Sequence, residues 1–522
     1  MKILLKNGLI YDGSLEKPKI GDIYLDNGKI KTIGNNLNMT VDEVIDCTNL
    51  IVSPGFIDSH SHNDFYVGSK DAILPFLKQG ITTQIVGNCG FSAYGVSPDS
   101  QYKELVGGSL FKTTNAGSLN AYANRYRDKL IQNIVPLVGH GTTRISVNGM
   151  SSSPLTTEQF QEQLRLLEDN LQQGAFGGSI GLMYEPGMYA PFEELVEIAK
   201  VIKKYNGILT VHPRANSKIA LGYPLLSIKP HIEQGLDEVI KIMKATGVRV
   251  EYSHLIFVGK SSWKSVNPML KKFKNAREEG YEIAYDIYPF TYGASTINVI
   301  LPGWYLQLSP EERKKKATLF KLKTIINITK KLLGIDFTDL IITYIGPDYP
   351  QYEGRTVADI ANDEGLKPID MYIKLVDLSK GEGKIMLDKY YNEEIIEKLM
   401  KDDLSVYMTD AWYEEQGAQN AGTFQAYPFF LQKTKKFNIP LENTIHKMTG
   451  KITDRFQIKN RGYIKEDYAA DITIFDYNDI NINFNDASST PTGIKYVLIN
   501  GEVVLDNNQY NGKTNGKLLR FR

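Results

Sequence analysis

The chain has 522 residues, 42% of them hydrophobic and 23% charged, with 60 Lys plus Arg balanced by 60 Asp plus Glu. These are the proportions of a globular protein too long for one ordinary core, so two or three units, or one large barrel with additions, are expected. Zero formal charge argues against a whole-protein field for nucleic acid or an anionic membrane, and the basic run Arg313-Lys314-Lys315-Lys316 reads as a solvated helix face. No long apolar segment follows Met1, and no stretch reaches the length of a membrane span. Only two cysteines occur, Cys47 and Cys89, which supports no disulfide framework. The expectation is a cytoplasmic protein acting on a small molecule, without nucleic-acid or membrane partners.

Residues 1 to about 52 read as short strands with turn signals: Lys2–Ile10, Asp22–Leu25, a turn at Asn27-Gly28, Lys29–Ile33 and Val44–Cys47. The C-terminal stretch has the same character in Gly462–Lys465, Ala470–Phe475 and Ile494–Leu505, with a hairpin turn at Asn500-Gly501. Two β-rich ends around a different middle predict one small β-sandwich built from residues 1–52 and 455–522. The middle, 53–454, alternates strand-like and helix-like stretches, the pattern of an α/β fold with parallel strands. Its strand candidates are Ile51–Ile57, Thr82–Val86, Ile134–Val138, Gly178–Met183, Gly207–Val211, Arg249–Tyr252, Glu282–Asp286 and Leu404–Met408. Helical patterns such as Thr157–Gln173 and Pro191–Tyr205 lie between them, and eight such units favour a (β/α)₈ TIM-type barrel. A long stretch, about 289–403, separates the last two strands. Its aromatic start, Tyr288-Pro289-Phe290-Thr291-Tyr292-Gly293, fits a lid over the barrel mouth, and a peripheral helical insertion fits equally.

Sites in such barrels lie at the C-terminal ends of strands. Strand one ends in His60 and His62, whose i, i+2 spacing turns both imidazoles to one side of an extended chain. The later strands end in Cys89, His140, His212, His254 and Asp410, so five of the seven histidines fall at strand ends. Neutral imidazoles, a thiolate and a carboxylate are a zinc ligand set. Such an ion lowers the pKa of a water and polarises a carbonyl, and Asp410 could carry the proton to a leaving group. Each residue has a plainer reading. Cys89 could be a small core residue, His212 and His254 satisfied core histidines, Asp410 a helix cap and His140 a structural group. His140 could equally orient substrate or donate to a developing oxyanion.

Beyond the strand ends, several motifs resemble the amidohydrolase superfamily and, within it, the N-acyl-D-amino-acid deacylases (D-aminoacylases). They are Pro54-Gly55-Phe56-Ile57-Asp58-Ser59-His60-Ser61-His62, Gly80-Ile81-Thr82-Thr83, Gly87-Asn88-Cys89-Gly90, Gly139-His140-Gly141, Gly178-Ser179-Ile180-Gly181-Leu182-Met183-Tyr184, Asp286-Ile287-Tyr288-Pro289, Gly422-Thr423-Phe424 and Tyr468-Ala469-Ala470-Asp471-Ile472. The resemblance implies a zinc-dependent amide hydrolase in which Cys89, His212 and His254 hold a tight metal. His60 and His62 would form a weaker neighbouring site, with Cys89 able to bridge, and Asp410 would be general base and acid. Tyr184 would approach the substrate carbonyl or carboxylate; His140, Arg214 and Ser295 complete the candidate substrate-binding residues. Many relatives bridge two metals with a carboxylated lysine after strand four. Gly178 to Gly187 contains no lysine here, which leaves Cys89 as the natural substitute and Glu185 as a second candidate.

Two departures bear on substrate. Where these deacylases carry a lysine two residues past the strand-six histidine, this chain has Ile256. Where they carry an arginine three residues before Gly-Thr-Phe, it has Gln419. Each lost charge-assisted hydrogen bond to a substrate carboxylate is worth roughly 1.5–3 kcal/mol. Arg214, Lys260 or Arg144 could replace these cations, or the substrate is a neutral or cyclic amide. A non-catalytic scaffold is a third reading, disfavoured by retention of the whole donor set.

Overall fold

The computed structural model describes residues 1–106, 117–220, 223–224, 227–306 and 308–521. Gln307 of the expected insertion and Arg522 of the expected sandwich lie outside these residues. Eight short strands run parallel: Phe56–Asp58, Ile81–Val86, Asn133–Pro136 continued by Val138–Gly139, Gly177–Gly181, Ile208–His212, Arg249–Tyr252, Ile283–Ile287 and Ser405–Tyr407. Successive strands pair in order around the ring. Between the last and first, the ring closes through a Ser61–Ala411 bridge, and Ser59 Oγ donates to the Tyr407 carbonyl at 3.0 Å. This is the (β/α)₈ barrel expected from the sequence.

The strands are buried along their whole length because helices cover the outside. In helix Phe192–Lys204 the buried Leu195, Ile198, Ala199 and Ile202 recur at helical spacing on one face. Helix Thr157–Gln172 starts at a capping box of Thr156 with Gln159, and helix His231–Thr246 stops at Gly247 in the left-handed region, φ 66°.

A nine-stranded sheet forms the second layer system. Its strands come from both ends of the chain, joined where Ile51–Pro54 runs antiparallel to Ile472–Phe475. The sheet folds back on itself. Lys29 bridges Ala469, the turn at Gly28 abuts Gly501, and Ile3, Leu5, Leu25, Ile30, Cys47, Ile472 and Leu498 share one core.

Three elements differ from expectation. The single strand read over Ile51–Ile57 is two strands, one in each sheet system, separated at Gly55. A Cβ on Gly55 would sit 2.3 Å from Thr82 Oγ1, so only glycine lets the chain pass this point. Gly462–Lys465 is not a strand; Ile464 N–H instead donates to the Asp12 carbonyl at 2.9 Å. The insertion is not simply helical. It builds a three-stranded antiparallel sheet from Gly293–Thr296, Lys384–Leu387 and Leu340–Tyr344, flanked by helices such as Lys316–Leu333 and Pro368–Leu378.

The insertion meets the barrel at its C-terminal end. Phe257 N–H donates to the Tyr390 carbonyl at 3.2 Å, Gly259 N–H to the Lys389 carbonyl at 2.8 Å, and Tyr391 Oη to the Leu255 carbonyl at 2.8 Å. On its other side Ala418 N–H donates to the Thr343 carbonyl at 2.8 Å, and Tyr344 Oη to Gln416 Oε1 at 2.8 Å. The loops that follow strands six and eight are therefore both docked on the insertion. Among the described residues no helix is long and apolar enough to cross a membrane.

Candidate metal centre and active site

The donors gather because the chain turns inward where each strand ends. After strand two, Gly87 and Gly90 take φ of 83° and 81°, and Cys89 between them is itself left-handed at 51°. The turn packs tightly: a Cβ on Gly87 would lie 2.1 Å from the Leu137 carbonyl oxygen, and one on Gly181 would lie 2.0 Å from that of Cys89. Asn88 braces it, donating to the Ile85 carbonyl at 3.0 Å and accepting from Thr210 Oγ1 at 3.1 Å. His254 and Asp410 are also left-handed, φ 34° and 49°, a conformation disfavoured for side chains with a Cβ and retained where surrounding structure enforces it.

Cys89 Sγ stands 3.3 Å from His60 Nε2, 3.5 Å from His212 Nδ1 and 3.5 Å from His254 Nε2. Asp410 Oδ1 lies 3.4 Å from His60 Nε2 and 3.6 Å from His62 Nε2. Two donor groups able to hold an ion result, His60–Cys89–His254 and His60–His62–Asp410. They share His60, and His212 joins the first through Cys89. All the imidazoles and the thiol are buried; the Asp410 carboxylate, 23% exposed, is the open member.

The electrostatics suit a cation. Burial pushes His60 down to about 3 and also lowers His212 and His254, so the rings present lone pairs. Burial, reinforced by the Asp410 and Asp286 carboxylates, pushes the Cys89 thiol well up. A divalent ion reverses that penalty by taking the thiolate as ligand. Burial also raises Asp410, but His254, His60 and His62 outweigh it and hold the carboxyl well below the usual range.

A second layer orients these donors. Asp286 Oδ2 meets His60 Nδ1 at 3.3 Å, and its other oxygen accepts from the backbone N–H of His254. Asp58 accepts from Thr409 N–H at 2.9 Å and Thr409 Oγ1 at 2.6 Å, pinning the turn that carries Asp410. Burial pushes Asp286 to about 8 and Asp58 to about 7. The Asn216 amide nitrogen is 3.4 Å from His212 Nε2, while its buried Oδ1 has no partner. Turning that amide over would give Oδ1 to an Nε2–H, the tautomer His212 needs to offer Nδ1 to an ion.

Tyr184, half-buried, places its ring centroid 4.6 Å from that of His212, and Trp412 lies 5.6 Å from His62. The other expected substrate residues do not join the cluster. His140 Nε2 is engaged by Glu194 at 2.8 Å, and the same carboxylate takes Arg144 at 2.9 Å. Arg214 forks onto Glu238, at 3.0 and 2.9 Å, and donates to the Met188 carbonyl at 2.7 Å. Ser295 sits opposite Ile385 in the insertion sheet, Lys260 is exposed, and Glu185 is exposed and accepts from Tyr189. At the two departures, Ile256 is packed in the core. Gln419 closes its own loop, donating to the Glu414 carbonyl at 2.7 Å and accepting from Glu414 N–H at 3.1 Å.

Sequence reasoning assigned no role to Asp58, Asp286, Asn216 or Trp412. For the two aspartates a signal existed: a carboxylate closing an otherwise apolar buried strand, in Phe-Ile-Asp and in Ala-Tyr-Asp-Ile.

No family model matches the chain. It is similar to the D-aminoacylase of Alcaligenes xylosoxydans xylosoxydans, 25% identical over 527 aligned residues that cover 99% of this chain and 97% of the relative. Among solved structures it superposes on the N-acyl-D-glutamate deacylase of Bordetella bronchiseptica, solved with zinc and a phosphonate inhibitor, with TM-score 0.81 and 23% identity, covering 100% of this chain and 99% of the other. A D-aminoacylase with a binuclear metal centre, described by one-metal activation and second-metal attenuation, gives TM-score 0.80 and 23% identity, at 99% coverage of both chains. Over its full length the chain is therefore similar to D-aminoacylase and to the N-acyl-D-aspartate and N-acyl-D-glutamate deacylases.

Proposed function

We propose that this protein is a zinc-dependent hydrolase that cleaves the amide bond of an N-acyl amino acid, of the D series as the relatives' names suggest. One observation carries the reading: a single sulfur within 3.3–3.5 Å of three imidazole nitrogens, beside a carboxylate that touches two. Tetrahedral zinc, with Zn–S and Zn–N bonds of about 2.3 and 2.0–2.1 Å, separates its sulfur and nitrogen ligands by about 3.5 Å. Cys89, His212 and His254 would hold the tighter ion, and His60, His62 and Asp410 would face a second. Bound zinc supplies Lewis acidity toward the substrate carbonyl and makes water a nucleophile near neutral pH.

The chain's own residues supply the proton traffic and the positioning. Asp410 is held ionised by the neighbouring imidazoles and is partly exposed, so it can take a proton from the attacking water. As the water oxygen bonds to the acyl carbon and the C–N bond breaks, the same carboxyl returns that proton to the departing nitrogen. Tyr184, against His212, supplies a neutral donor to the substrate. Asp286 and Asp58 hold His60, His254 and the Asp410 turn in place. We place the protein in the cytoplasm, in keeping with two unpaired thiols.

The test is to load the protein with zinc, confirm its metal content and assay amine release from a panel of N-acyl-D- and N-acyl-L-amino acid derivatives. Release from at least one member, abolished by chelation and restored by zinc, is expected. Stoichiometric zinc with no amine released from any member would overturn the assignment.

A further inference from the structure

We infer that Ser179, on the fourth barrel strand, is a positioning residue for Cys89: its hydroxyl clamps the turn that carries the sulfur and so sets how tightly the first ion is held. The inference rests on the zinc reading above and deepens it. The supporting side chains Asp286, Asp58 and Asn216 act on His60, His254, the Asp410 turn and His212. The sulfur has to be held as well, because Cys89 keeps a left-handed φ of 51° that its Cβ disfavours.

Strand four, Gly-Gly-Ser-Ile-Gly over Gly177–Gly181, carries one polar side chain, and that residue is 1% exposed. Its Oγ accepts from the Gly90 N–H at 3.0 Å and donates to the Gly87 carbonyl at 2.5 Å. One hydroxyl thus grips the chain on both sides of Cys89, using a donor and an acceptor that a methyl group lacks. In register, Ser179 lies beside Thr210 of strand five and Gly139 of strand three. Thr210 Oγ1 reaches Asn88 in the same turn, and Thr142 N–H donates to the Gly90 carbonyl at 3.0 Å. A Cβ on Gly139 would stand 2.4 Å from that carbonyl oxygen. The turn is therefore seated on strands three to five, and Ser179 is the side chain that joins its two ends.

Cys89 Sγ lies within 3.3–3.5 Å of three imidazole nitrogens, so a displacement of this turn alters all three separations together. Without the hydroxyl, the Gly90 N–H and the Gly87 carbonyl lose a partner in a dry site, which favours local opening of the turn. Such opening also frees the thiol, and Cys89 is only 3% exposed in the closed turn. The effect is therefore measurable without metal. Cys47, fully buried in the core of the terminal strands, serves as an internal reference for global unfolding.

The test reacts the metal-free, full-length protein with N-ethylmaleimide and follows each cysteine by peptide mass spectrometry. Ser179→Ala should speed Cys89 modification by about tenfold or more, with Cys47 unchanged within about twofold. Its zinc affinity, by chelator competition, should weaken about 10–100-fold, and cobalt loaded in place of zinc should show a weaker sulfur-to-metal charge-transfer band. Ser179→Thr, which keeps the hydroxyl, should restore all three readings. An unchanged Cys89 rate in Ser179→Ala overturns the inference, as does an equal acceleration at Cys47, which marks general loss of stability. Equal defects in the alanine and threonine variants also overturn it, because the hydroxyl is then not what matters. If the parent protein takes up no zinc, the metal reading falls, while the two thiol rates still decide whether Ser179 holds the turn.

Discussion

The two ends of the barrel handle charge in opposite ways. At the C-terminal end, thiol, imidazoles and one carboxylate point their lone pairs at one another, an arrangement without merit unless a cation enters. At the N-terminal end Arg455, Arg249 and Lys447 each have partners within the protein. Arg455 pairs with buried Glu251 at 3.0 Å and donates to the Val250 carbonyl, and Arg249 pairs with Glu282 at 2.5 Å. Lys447 donates to the Met400 and Asp402 carbonyls and to Ser405 Oγ, at 2.6, 2.5 and 2.9 Å. Arg249, Arg455 and Lys451 line a cleft of about 380 Å³ with Arg277 and Asp454. One end closes the fold and the other holds unsatisfied donors ready for chemistry, the division expected of this architecture.

Substitutions at the two ends should therefore separate stability from turnover. The largest loss is expected for Cys89→Ala, which removes the sulfur common to three imidazoles. Bound zinc, measured by atomic emission, should fall below one equivalent and amide hydrolysis should drop to background. Asp410→Asn keeps the sulfur and its imidazoles but removes the proton carrier; kcat should fall about 10²–10⁴-fold while the first zinc equivalent stays bound. Arg455→Met is the counterpart at the closed end. It strands Glu251, and chemical denaturation should show a loss of about 3–5 kcal/mol, with kcat of the folded protein within about twofold.

The pH dependence of that loss has a definite sign. Burial holds Glu251 at about 7 against an ordinary 4.5. The folded state keeps its proton between those values while the unfolded state releases it, so this group's contribution is present at acid pH and lost as pH rises through about 7. Without Arg455 the folded carboxyl rises further, so the gap between variant and parent should widen from pH 5 to pH 8. The smallest effect is expected for Asn216→Ala. Chelator competition should show zinc affinity weaker by about 10–100-fold, with unchanged denaturation of the metal-free protein. Equal zinc affinity would remove Asn216 from the support of His212.

The barrel was legible because most of its strands are short apolar runs followed closely by a histidine, cysteine or aspartate, with amphipathic helices between. The junction at Gly55 was not. Two collinear strands separated by one glycine look continuous in sequence, and only the close approach of Thr82 explains the break. The insertion sheet was hidden because Gly293–Thr296 and Leu340–Tyr344 are brief and partly exposed, so they lack a continuous apolar signature. At the site, strand-end position pointed to the donors His60, His62, Cys89, His212, His254 and Asp410. His140 and Arg214 are held by Glu194 and Glu238 on neighbouring helices, partners that no strand-end pattern reveals. The orienting roles of Asp286 and Asn216 arise from contacts across 226 and 4 residues of chain, and neither spacing carries a pattern.

The left-handed backbone at Cys89, His254 and Asp410 restricts how this centre could be redesigned. Threonine, valine and isoleucine crowd that conformation, so they are poor replacements at these three places whatever their side-chain chemistry. A library that randomises the site would do better to fix these hinges and vary Tyr184 and Ile256, where the backbone imposes no such veto.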